Sequence, residues 1–125
     1  MRHLTLILLL ALAPLSWGED VYYCVEEHNL ALAPNESGNA YEIKRYKPAK
    51  FTLKYEADSD RLAIKGDNWG RDKPYYLDCS HCNAPIGMFR ARDRNIVFSL
   101  DDGRFNYAAS YFTSVDAKTG TCTKF

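Results

Sequence analysis

The segment "NIVFSLDDGRFNYAASYF", residues 95–112, carries two alternating runs joined by an Asp-Gly turn. Ile96, Phe98 and Leu100 alternate with Val97 and Ser99, which is the period of a half-buried strand. Asp-Gly in "DDGR" (101–104) is hairpin chemistry, because both central residues of a two-residue loop must accept positive φ. "RFNYAASYF" (104–112) then returns as the partner strand. A second alternating pair stands upstream. "KFTLKYE" (50–56) turns its Phe51, Leu53 and Tyr55 to one side, "DSD" (58–60) makes the turn, and "RLAIKG" (61–66) points Leu62 and Ile64 inward.

Working outward, "VYYCV" (21–25), "YEIKRY" (41–46), "YYLDC" (75–79), "IGMFRAR" (86–92) and "GTCTKF" (120–125) read as further strands. The segment 26–39 is the least strand-like: its first half suits a helical turn, and Pro34, Gly38 and the asparagines make its second half a loop. "GDNWGRDKP" (66–74) reads as a long polar loop. The fold expected is all-β, a small antiparallel β-barrel or sandwich of about seven or eight short strands. Nine tyrosines and six phenylalanines suit such a core.

The first eighteen residues read as a secretory signal peptide. Arg2 and His3 precede an apolar run, Leu4 to Leu15, and Ser16-Trp17-Gly18 supplies small residues before a cut. The remaining residues, 19–125, are expected to form a single β domain, secreted or periplasmic, with no transmembrane segment after signal removal. A chain of this size buries roughly 65% of its unfolded surface, so its core is thin. Removing Arg2 takes the formal charge from zero to minus one, which argues against a nucleic-acid partner. Asn35-Glu36-Ser37 is a glycosylation sequon if the secretory pathway is eukaryotic. Phe125 as the last residue invites comparison with outer-membrane barrels, but their strands of about 9–11 residues would strain this length.

All four cysteines fall after the signal, and export places them where disulfides form. Cys24 lies in the first strand and Cys122 in the last, and these are neighbours in a closed meander. That adjacency favours Cys24–Cys122 with Cys79–Cys82, crossed pairings being the alternatives. The pair in "CSHC" (79–82) raises other chemistry. A c-type haem needs histidine directly after the second cysteine, where Asn83 stands. A thioredoxin-type thiol needs a helix start, which Pro85 opposes. Zinc would need Cys24 and Cys122, or His28, as further ligands. A metal or redox protein centred on Cys79, His81 and Cys82 is thus an alternative. The favoured picture is a pinched turn with His81 exposed at its tip.

Catalytic sets are absent from the sequence. Asp58/Asp60 and Asp101/Asp102 are carboxylate pairs, but both sit in turns that aspartate favours on its own account. "DNWGRD" (67–72) lacks the spaced acids of a calcium loop. Two features point to contact instead. Trp69 is an aromatic on a polar loop. Arg90, Arg92 and Arg94 recur at spacing two, so on a continuing strand they share one face while Phe89 and Ala91 turn inward. Three guanidinium groups could read phosphate, sulfate or carboxylate; the plainer reading is a solvated strand face. The expectation is a non-enzymatic binding module for a protein or small ligand, without cofactor or metal, contacting it through Trp69, Arg90, Arg92, Arg94 and His81.

In outline, Tyr22, Cys24 and Cys122, with an alternating hairpin, make the chain similar to the small periplasmic inhibitors of c-type lysozyme. Those are signal-bearing β-barrels of about this size, with a Tyr-x-Cys near the start bonded to a late cysteine. The resemblance implies the Cys24–Cys122 bond and inhibition of an exported enzyme. It stops short of the inhibitory motif, a Ser-Gly-x-x-Tyr loop followed by a Lys-Gly loop. Ser110-Tyr111 and Lys118-Thr119-Gly120 do not supply it.

Overall fold

The computed structural model describes residues 20–67, 69 and 73–125. The expected signal peptide and most of the 67–72 stretch lie outside the described residues. Nine strands run in chain order: β1 (Asp20–Pro34), β2 (Tyr41–Arg45), β3 (Lys50–Glu56), β4 (Arg61–Gly66), β5 (Tyr75–Asn83), β6 (Met88–Asp93), β7 (Ile96–Asp101), β8 (Arg104–Ser110) and β9 (Val115–Lys124). All pairings are antiparallel in the sheet order β2-β1-β3-β4-β5-β6-β7-β8-β9, and β1 also pairs with β9. This closes eight strands into a barrel and leaves β2 as an extra strand on the rim. Among the described residues no helix is long and apolar enough to cross a membrane.

The DDGR hairpin forms as its sequence predicts. Asp101 faces Arg104, and Asp102 and Gly103 hold φ of 52° and 74°. The 50–66 hairpin forms too, with Phe51, Leu53, Leu62 and Ile64 fully inward. Closure of the barrel rests on β1. Its fifteen residues reach about 50 Å, so one edge serves β3 with its first half and β2 with its second, while the other edge follows β9 throughout.

The helical turn expected in 26–39 is corrected: residues through Pro34 continue as strand. A bulge between Glu26 and His28 is the reason the alternation fails to read. Tyr22, Cys24 and Glu26 face inward, Glu27 and His28 both face out, and Asn29 and Ala31 face inward again. One extra residue resets the period, which masks a strand in sequence. The last strand is also longer than expected, starting at Val115 rather than 120.

The core is a stack of aromatics. Phe98 and Phe105 lie nearly parallel at 5.8 Å, and Phe51 meets Phe105 edge-on at 5.1 Å. Gly120 makes room for this layer. A Cβ there would sit 2.1 Å from the Val25 carbonyl and 2.6 Å from the Phe105 ring. Below the layer, Tyr22 and Tyr55 each pack on Phe89.

Both favoured disulfides form, Cys24–Cys122 and Cys79–Cys82. Cys24 and Cys122 face each other across the β1–β9 seam that closes the barrel. The second pair is not the pinched turn expected. Both its cysteines lie within β5, and the turn comes later, in the 3₁₀ segment Ala84–Ile86 and left-handed Gly87. Residues three apart on a regular strand stand about 10 Å apart. A bulge between Cys79 and His81 shortens this to 5.7 Å between Cα atoms.

Candidate functional site

The interior is apolar at its centre and ionic at one mouth. Four inward positions create the ionic part. Glu26 and Asn29 flank the β1 bulge, and across the seam Asn29 faces Lys118 and Ala31 faces Asp116. Glu26 is fully buried. Its Oε1 accepts hydrogen bonds from Asn29 Nδ2 and the Ala49 amide, both at 3.1 Å. Among the described residues its Oε2 has no hydrogen bond, and Lys118 Nζ lies 3.9 Å from it. A buried carboxylate half satisfied in this way holds its ammonium neighbour electrostatically.

Lys118 is the group these positions converge on. Its side chain is only 11% exposed. The ammonium sits 4.9 Å from the Trp69 ring centre and 5.0 Å from that of Tyr107, within cation–π reach of both. Desolvation pulls its pKa below that of a free lysine, while the charges of Glu26 and Asp116 push it back up.

Trp69 forms the lid of the core. The expected contact residue on a polar loop is packed inward, its indole only 5% exposed. It packs on Phe51 at 5.5 Å and edge-on to Tyr107 at 4.9 Å. Among the described residues its buried Nε1–H has no hydrogen-bond partner. Burying a large aromatic outweighs the polarity of its neighbours in sequence.

Above Trp69 opens a cleft of about 480 Å³, walled by Trp69, Tyr75, Tyr107, Tyr111, Lys73 and Lys118. A second hollow of about 410 Å³ lies on the other side of Lys118, between Tyr46, Lys47 and Asp116. Both volumes fall in the range of small-molecule sites. The Tyr75 phenol of the first cleft is fixed. Tyr75 donates to Asp93 Oδ2 at 2.7 Å, and Tyr107 and Tyr111 share the cleft wall. Burial and the Asp93 bond push Tyr75 up to about 12, and burial raises Tyr107 as well.

Of the other sequence-derived candidates, Arg94 comes near enough to the cleft for its charge to act on Tyr75, while Arg90, Arg92 and His81 do not line it. Arg90 and Arg92 point out from β6, opposite Ser99 and Val97 of β7. Arg94 leaves the expected stripe: β6 ends at Asp93, and Arg94 takes φ of 48° in the two-residue turn to β7. A left-handed turn residue cannot continue strand alternation. His81 is exposed on β5 opposite Arg90, and His28 is exposed on the β1 bulge. Asp60 comes close enough to Cys79 and Cys82 for the three to bracket an ion. With the sulfurs joined to each other, neither is a thiolate ligand.

Sequence reasoning reached Trp69 but missed Glu26, Tyr75, Tyr107 and Lys118. For Lys118 a signal existed: it is in phase with Gly120 and Cys122 at spacing two, so a longer last strand turns it inward. No protein-family model, curated protein or solved structure matches the chain.

Proposed function

We propose that this chain is an exported, non-enzymatic binding barrel that takes a small ligand with a planar apolar body and an anionic group at its mouth. The observation that carries the reading is Lys118, buried beneath a cleft walled by Trp69, Tyr75, Tyr107 and Tyr111. A flat body fits between the rings, and the anion reaches the ammonium in a medium that screens it little. Lys47 and Lys73 add positive charge at the two openings. Two formed disulfides and the signal-like start support export.

The test is a fluorescence titration with 8-anilinonaphthalene-1-sulfonate, an aromatic anion built on a flat naphthalene, followed by energy transfer from Trp69. One saturable site is expected. Lys118→Met weakens it about ten- to a hundredfold, the value of one charge-assisted hydrogen bond. Arg90→Ala and Arg92→Ala leave it unchanged. Equal binding by wild type and Lys118→Met, with both melting cooperatively, contradicts the reading.

A further inference from the structure

The extra strand β2 offers a second surface, independent of the mouth. Strand order begins β2–β1, so among the described residues β2 has a neighbour on one side only, and all five of its residues are exposed. The direction of its backbone groups follows from the bonds at its ends. The Tyr46 amide donates to Asn29 O, and Ala40 O accepts from the Asn35 amide, both at 2.8 Å. Even-numbered residues therefore turn toward β1. Alternation leaves the N–H and C=O groups of Tyr41, Ile43 and Arg45 on the free edge. Pro34 agrees with this parity: it faces Tyr41, where no proline N–H is needed. An open row of donors and acceptors is a template for another strand.

We infer that the strand it receives is β2 of a second copy of this chain, paired antiparallel about a two-fold axis at Ile43. The sequence Tyr41-Glu42-Ile43-Lys44-Arg45 is complementary to itself in that register. Ile43 faces Ile43, Glu42 faces Lys44 twice, and Tyr41 faces Arg45 twice. Opposite charges meet on one side of the joined sheet, and guanidinium meets phenol ring on the other. The facing pairs at positions 41, 43 and 45 exchange both of their N–H···O bonds. Slipping by one alternation sets Glu42 against Glu42 or Lys44 against Lys44, so charge also selects the register.

The apolar face supports the same occupant. On the outer wall Ile43 is flanked by Leu32, which is flanked by Val115. These side chains are 64%, 44% and 47% exposed and border an apolar groove of about 310 Å³. The two-fold joins both rows end to end at Ile43 and continues the strip across the seam. A lipid surface would cover the row yet leave the edge N–H groups and the Glu42 and Lys44 charges unmatched.

Sedimentation velocity of the full chain over a concentration series tests the pairing. The contact is one short strand, so the dimer is reversible and its fraction rises with concentration. Glu42→Lys weakens dimerisation about tenfold by facing like charges twice, and Glu42→Lys with Lys44→Glu restores it. Ile43→Pro abolishes it while the far-ultraviolet spectrum and melting of the closed barrel persist. A wild type that sediments as monomer at every concentration overturns the proposal. So does association indifferent to Glu42→Lys, or a charge-swapped double variant that fails to recover.

Discussion

Lys118 and Glu26 bring opposite charges into the barrel, 3.9 Å apart, with side chains 11% and 0% exposed. Removing one partner leaves the other desolvated and unpaired. Lys118→Met is therefore expected to destabilise by about 3 kcal/mol, and Glu26→Gln with Lys118→Met to recover most of that loss. Denaturant titration of the two variants checks it; additive losses would mean the residues do not interact. The tyrosines at the mouth set the alkaline limit. Tyr75, held at about 12 when folded, titrates near 10 when unfolded. The native state then retains the proton longer, so this contribution is complete below pH 10 and lost as pH rises toward 12. Lys118, lowered in the native state, acts in the opposite sense: its penalty is relieved as pH rises through its folded value. Stability between pH 10 and 12 should fall less steeply in Tyr75→Phe than in wild type, measured by thermal melts at fixed pH.

At the scale of elements, the two hairpins were legible because each carried its whole signal locally. Phe98 and Leu100 alternate right up to an Asp-Gly that demands its turn, and the positive φ of Asp102 and Gly103 follows. The ends of the chain were not legible in the same way. In β1 the bulge at Glu27 breaks the alternation, and the inward residues beyond it include polar Asn29. In β9 the inward residues are Asp116, Lys118 and Gly120, none of which reads as core. These positions face inward because the mouth is ionic and because Phe105 fills the space over Gly120. The candidate site was hidden for the same reason: its charged members lie in the two strands whose pattern it disturbs. Only Trp69 stood out by type, and its burial depends on a tertiary contact with Phe51. Gly120→Ala tests the account of β9. Its methyl would strike the Val25 carbonyl, a backbone atom that cannot swing away, so a loss of about 3 kcal/mol is expected in chemical denaturation. A neutral outcome would mean the seam yields.

For the whole molecule, the closing seam and the mouth are one feature. Cys24–Cys122 ties β1 to β9 across a separation of 98 residues, and Cys79–Cys82 spans only 3 within one strand. Loop-closure entropy then ranks them: replacing Cys24 and Cys122 by alanine should cost about 4 kcal/mol, and replacing Cys79 and Cys82 about 2 kcal/mol or less. Paired denaturation curves check the order, and a larger loss from the short loop would reverse it. The same seam places Glu26 and Asn29 of β1 against Gly120 and Lys118 of β9, so closing the barrel assembles the ionic floor of the cleft. The claim that this floor binds a ligand is tested most directly by two-dimensional nitrogen–proton NMR during titration with 2-naphthoate, a planar aromatic carboxylate. The prediction is a shift of the Trp69 indole N–H caused by the ring current of the bound naphthalene, with amide shifts confined to Tyr75, Asn95, Tyr107 and Lys118, all weakened in Lys118→Met. Shifts clustered instead at Leu32, Ile43 and Val115, or an indole signal that does not move at saturation, would contradict it.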